Sequence, residues 1–148
     1  MPNFGSTTLA KCFSLRFALF RKTALPTFFE QVKYPLYFLD YETYSSAIPI
    51  IDGAKPYTHI PFQFSIHVKE SKDATGTKHH EYLAERAELP LEMIERLEDI
   101  IGSEGSIVAW HKTFENQRNE EFARAYREKA DFLLNLVERT IDLEDIFK

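Results

Sequence analysis

An α/β fold, a mixed sheet of parallel and antiparallel strands flanked by helices, is predicted by three features of the sequence. Two apolar segments, "YPLYFLD" (34–40) and "SIVAW" (106–110), have the length and composition of strands. A strongly periodic helix lies between them, which favours parallel pairing of the two. Ahead of that helix, "FQFSIHVK" (62–69) and "HHEYLAE" (79–85) flank a polar, Gly-containing turn, the pattern of an antiparallel hairpin.

Taken in order, "LPTFFEQVK" (25–33) reads as a short helix with Pro26 near its first turn. The run from Tyr34 to Asp40 is almost continuously apolar, as in a strand covered on both faces. Three prolines and an Asp-Gly pair make residues 45–61 a loop. In the first hairpin strand Phe62, Phe64, Ile66 and Val68 alternate with Gln63, Ser65, His67 and Lys69, so one face is buried. "LPLEMIERLEDIIG" has Pro90 at its start and Gly102 just past its end, with Met93, Ile94, Leu97, Ile100 and Ile101 at helical spacing. Residues 111–130 read as a polar helix carrying Phe114, Phe122, Ala123 and Tyr126, and residues 131–148 supply a last apolar stretch, helix or strand.

The chain has 148 residues, 44% hydrophobic and 14% aromatic, which suits one globular domain with an aromatic-rich core. Its one cysteine, Cys12, excludes an internal disulfide and a cysteine-based zinc site, and points to a reducing, cytoplasmic setting. Residues 1–25 are basic and free of acidic groups; they read as a leader or a surface helix, with an organellar or membrane-surface address as the alternative. Their longest uncharged apolar run, Phe17 to Phe20, is too short to span a membrane. The net charge of −5 argues against binding nucleic acid by electrostatics alone. It does not exclude nucleic acid, because carboxylates that hold metal count as negative until the metal arrives.

The chemistry concentrates in "YFLDYET". Residues two apart on a strand share a face, so Asp40 and Glu42 sit side by side at or just past the strand end. Two carboxylates so close repel each other unless a cation lies between them. Oxygen ligands without cysteine select Mg²⁺ or Mn²⁺ over zinc. The plain alternative is that Asp40 caps a turn and Glu42 is solvated. A third acid, Glu115 in "HKTFENQRN", opens a helix directly after the second apolar strand, where the helix dipole favours a carboxylate. Its alternative reading is dipole stabilisation alone. Histidines at 59, 67, 79, 80 and 111 suggest no shared metal, since adjacent His79 and His80 point to opposite faces of a strand.

The order "YFLDYET", hairpin, helix, "SIVAWHKTFEN", helix resembles the DnaQ-like (DEDD) exonuclease superfamily of the ribonuclease H-like fold. Asp40 and Glu42 match its Asp-x-Glu motif. His111, Phe114 and Glu115 match its second motif, with Lys112 where Asn is usual and Glu115 in place of Asp. Within that superfamily the chain is similar to an uncharacterised bacterial domain-of-unknown-function family over roughly residues 27–148, with residues 1–26 outside. The resemblance implies two-metal phosphodiester hydrolysis with three-prime to five-prime action on single-stranded DNA or RNA ends; the short apolar run of the N-terminal segment separately predicts no membrane partner. In it Asp40 bridges the cations while Glu42 and Glu115 each hold one. It also implies that the loop after the first strand lines the substrate path, with Tyr44 and Tyr57 available for base stacking. The superfamily's third motif, with its general base, lies beyond a further helix, and this sequence ends at Lys148. The expectation is therefore a partial domain, truncated at its C-terminus, with three of four metal carboxylates. Asp142 is a weak fourth candidate, otherwise a helix cap or surface charge. A non-catalytic ribonuclease H-like module that binds nucleic acid or protein is the other function class.

Overall fold

The computed structural model describes residues 24–86 and 90–147. The basic N-terminal segment and Cys12 lie outside these residues. The elements, in order, are α1 (Ala24–Gln31), β1 (Leu36–Tyr44), β2 (Ile60–Lys69), β3 (Lys78–Leu83), α2 (Leu91–Ile100), β4 (Ser106–Ala109), α3 (Lys112–Ala125), α4 (Ala130–Arg139) and β5 (Thr140–Asp142). Residues 32–143 form one compact unit; α1 belongs with residues 144–147 to another. Within α1, the Phe28 and Phe29 rings meet edge to face at 5.7 Å.

The five strands make one open mixed sheet in the order β3-β2-β1-β4-β5. β1, β2 and β3 form an antiparallel meander. β4 lies parallel to β1, and β5 lies parallel to β4. Parallel neighbours need a crossover, and here helices supply both. α2 returns the chain from β3 to β4, while α3 and α4 return it from β4 to β5.

One sheet face carries the core. Tyr37, Leu39 and Tyr41 of β1, Phe64, Ile66 and Val68 of β2, and Ile107 of β4 share it. Met93, Ile94 and Leu97 of α2, Phe122 and Ala123 of α3, and Leu133 and Leu136 of α4 pack against it. Burying each large aliphatic or aromatic side chain contributes about 1.5–3 kcal/mol.

β1 departs from the continuous burial its apolar sequence suggests. Tyr37, Leu39 and Tyr41 are buried while Phe38, Asp40 and Glu42 are exposed. The strand also runs on to Tyr44, so the acidic pair lies inside it rather than at its end. The reason is its partner: β2 pairs with β1 along its whole length, holding Asp40 opposite Ser65 and Glu42 opposite Gln63. The predicted helix over 111–130 likewise divides, because α3 ends at Ala125 and a short 3₁₀ turn, Arg127–Lys129, leads into α4. The final apolar stretch is both helix and strand, α4 followed by β5. His79 and His80 do face opposite ways: His79 is exposed and stacks on His67 at 4.4 Å, whereas His80 is half-buried. Among the described residues no helix is long and apolar enough to cross a membrane.

The entry to β4 is tightly held. Arg139, at the end of α4, donates through its guanidinium to the carbonyls of Gly102 (2.8 Å), Glu104 (2.6 Å) and Gly105 (3.0 Å). Burial pulls the Arg139 pKa down, and the carbonyl dipoles around it offset part of that cost. Gly105 has φ +92° and is packed against the Pro35 backbone, so a Cβ there would collide with the Pro35 carbonyl. Gly105→Ala is expected to destabilise the domain by at least about 2 kcal/mol, read as a lower midpoint in urea unfolding at unchanged slope.

Candidate functional site

The site begins with a mismatch in strand length. β4 meets β1 only at Leu36, Tyr37 and Phe38, opposite Ser106, Ile107 and Val108. β1 continues six residues further, to Tyr44. Beyond Phe38 that side of β1 has no strand partner among the described residues, and Glu115 reaches it from the first turn of α3. There the Tyr41 backbone N–H donates to the Glu115 carboxylate. A side chain thus satisfies a buried backbone donor that the sheet leaves over.

The turn that aims α3 is fixed from β5. His111 precedes the helix in the left-handed region, φ 63°, which is sterically costly for a residue with a Cβ. Its backbone N–H donates to Asp142 Oδ1 at 3.0 Å. Asp142 is 4% exposed, so it is not the surface charge its sequence context suggests. It ties the end of β5 to the start of α3.

α3 turns a polar stripe inward. Glu115, Arg118, Asn119 and Phe122 recur at helical spacing and all four are buried. The Asn119 Oδ1 accepts the Tyr41 hydroxyl at 2.9 Å, while its Nδ2 has no partner. Burial, with the Glu115 charge nearby, pushes the Tyr41 pKa up, so its hydroxyl stays a donor. Arg118 lies over the Phe114 ring, 5.0 Å from its centroid, and donates twice to Glu121, at 3.1 and 2.9 Å. On the other side, His59 shares a hydrogen bond with Thr43 (3.0 Å) and meets the Phe114 ring edge-on at 5.6 Å. The long loop is thereby joined to the strand and the helix that bear the acids.

Glu115 is the unusual group. It is 4% exposed, and its Oε2 is buried without a hydrogen-bond partner. Burial first, then the charge on Asp40, push its pKa up to about 8; the Tyr41 N–H and Arg118 oppose the rise, and Glu42 adds to it. The structure therefore brings the three sequence-selected acids into one electrostatic neighbourhood. It does not bring them onto one point: among the described residues no three His, Cys, Asp or Glu side chains stand where they would hold a single metal ion. Asp40 and Glu42 are exposed on the open sheet face, whereas Glu115 is buried beside the strand edge.

Residues that sequence reasoning missed are Tyr41, Thr43, His59, Arg118 and Asn119. A signal existed for two of them. Arg118 and Asn119 follow Glu115 at the i+3 and i+4 positions, ahead of the apolar Phe122, which places polar groups on the buried face of the helix.

The family model "Domain of unknown function (DUF2779)" matches residues 37–148, a span that starts inside β1 and includes every acid discussed here. The chain belongs to the DUF2779 family. No curated protein and no solved structure matches it. The DUF2779 match covers the whole sheet except Leu36, and so includes both segments that meet at Tyr41 and Glu115.

The raised Glu115 pKa sets a pH dependence. The folded state holds this proton more tightly than the unfolded chain does, so its contribution is full below pH 4.5 and is lost as the pH rises to about 8. Across that window the loss amounts to something on the order of 5 kcal/mol. Glu115→Gln removes the titration. Urea unfolding at a series of pH values is expected to show the variant gaining on the wild type steadily between pH 5 and pH 8, with the gap levelling off above pH 8.

Proposed function

We propose that the domain is a ribonuclease H-like, metal-dependent nuclease, exonuclease-like on single-stranded ends, whose acids Asp40, Glu42 and Glu115 hold Mg²⁺ or Mn²⁺. One observation carries the reading: a buried carboxylate with an unpartnered oxygen lies in the field of two further carboxylates. Burial is the main cause of the high Glu115 pKa, and the charges on Asp40 and Glu42 add to it, so the three acids are uncompensated without a cation. Natural proteins keep such strain where it serves a site.

The donor set is all oxygen, which suits a hard divalent ion. The chemistry such an ion supplies when bound is polarisation of a phosphoryl oxygen and acidification of a water molecule. The chain's own residues do the rest. Glu115 keeps its proton while the site is uncompensated, and gives it up when opposing charge arrives. To hold a cation with Glu115, exposed Asp40 and Glu42 would turn towards it from the open sheet face, while β1 itself is fixed by its pairing with β2. Arg118, pinned by Glu121 and Phe114, keeps positive charge beside the buried acid. Asp142, engaged by His111, orients the helix rather than a cation.

A second reading has its own observation. A non-catalytic ribonuclease H-like module, binding nucleic acid or protein, is favoured by the lack of any three converging metal-binding side chains among the described residues. Thermal unfolding with and without Mn²⁺ separates the two. On the nuclease reading, Mn²⁺ at about 100 times its Kd raises the wild-type Tm by roughly 5 °C or more, and more at pH 8 than at pH 6 because protons compete for Glu115. Asp40→Ala abolishes the shift. A labelled single-stranded oligonucleotide is shortened by the wild type with Mn²⁺ and left whole by Glu115→Gln. An unchanged Tm together with an intact oligonucleotide leaves the binding module as the function.

A further inference from the structure

Next to the acids lies a cavity that the metal chemistry does not use. Its volume is about 650 Å³, and it opens between residues 52–60 of the long loop and the second half of α3. Ligand pockets run from about 300 to 1,000 Å³, so this one suits a molecule of nucleotide size. Phe122, Ala125 and Tyr126 give it an apolar and aromatic lining, and His59 lines it too. His59 is the residue that touches Thr43 and Phe114, the neighbours in sequence of Glu42 and Glu115. His59 therefore links the cavity to the strand and the helix that bear the acids.

The charges in the cavity favour an anion. Lys55 and Arg124 line it and both are exposed. Glu121 lines it as well, but Arg118 holds that carboxylate through two hydrogen bonds. Arg124 makes only a solvent-exposed 3.9 Å contact with Glu120, worth little. Asp52 is the one remaining acid of the lining. The loop is strained at the same place: Tyr57, between Lys55 and His59, has φ 62° and a ring 69% exposed, with its N–H fixed on the Ser46 carbonyl at 2.8 Å. A bulky residue held in that region costs about 1–3 kcal/mol, and such strain clusters at ligand clamps.

We propose that this cavity binds one nucleoside monophosphate unit, its base against Phe122 and Tyr126 and its phosphate between Lys55 and Arg124. The proposal rests on the nuclease reading, for which it supplies the seat of a single nucleotide of the strand. An aromatic anion is what an aromatic lining with two exposed cations selects.

The test is titration of the full chain with AMP in EDTA, followed by amide NMR shifts, so that no metal is needed. AMP is expected to bind with a Kd on the order of 1 mM or below, shifting Gly53, Ala54 and Ala125. Adenosine and inorganic phosphate, each offering half of the contacts, are expected to bind at least about tenfold more weakly. Lys55→Glu with Arg124→Glu is expected to weaken AMP about tenfold or more, and Ala125→Trp to abolish it by filling the space. Ala54→Trp fills the same space from the loop and serves where the helix variant does not fold. Asp40→Ala leaves AMP binding intact, which separates this proposal from the metal site. The proposal is overturned by absence of AMP binding, by equal affinity for adenosine, by unchanged affinity in a folded tryptophan variant, or by indole binding where AMP does not.

Discussion

The hydrogen bond from the Tyr41 backbone to the Glu115 carboxylate is the contact on which the site depends. It exists because a nine-residue strand lies beside a four-residue one. Where β4 stops, β1 still presents backbone donors, and a buried donor without a partner costs about 1–3 kcal/mol. A helix start is well suited to cover that edge, because a first-turn acid brings its own acceptor. The same acid then stands in the field of the outward-facing carboxylates of β1. Sheet geometry and charge clustering are two results of one difference in length.

The cost of this arrangement falls on α3. A helix that buries Glu115, Arg118 and Asn119 gives up apolar contacts that leucines would make. Its part of the core is reduced to Phe122 and Ala123, and α2 and α4 carry the larger share with Met93, Ile94, Leu97, Leu133 and Leu136. Two buried side-chain atoms of that polar stripe, Glu115 Oε2 and Asn119 Nδ2, find no partner. Stability alone does not select such a stripe; a hydrophobic replacement of similar volume is often more stable. Polar groups kept at that cost, beside exposed acids, are what support the proposed metal site.

Much of the fold was legible in the sequence, and the reasons differ by element. Period-two alternation identified β2, and the Met93–Ile94–Leu97 stripe with Pro90 and Gly102 bracketed α2. β1 misled because its exposed Phe38 is as apolar as its buried neighbours, so composition could not reveal which face was open. The break at Tyr126 has no proline or glycine to announce it. In the site, Asp40, Glu42 and Glu115 stood out by spacing and position. Tyr41, Thr43 and His59 did not, because their roles arise from register and loop closure, which a linear reading does not contain. Asp142 was legible as an acid but not as a tether, since its partner is a backbone amide 31 residues away.

That tether makes the geometry of the acids depend on the far end of the sheet. Asp142 closes the last strand and fixes the left-handed joint at His111, which sets where the following helix begins. A shorter form of the domain cut ahead of Thr140 would retain every acid of the cluster yet lose the anchor that directs Glu115. Such a fragment would hold the same acids without the contact that directs one of them, and a negative assay on it would not test the proposed site.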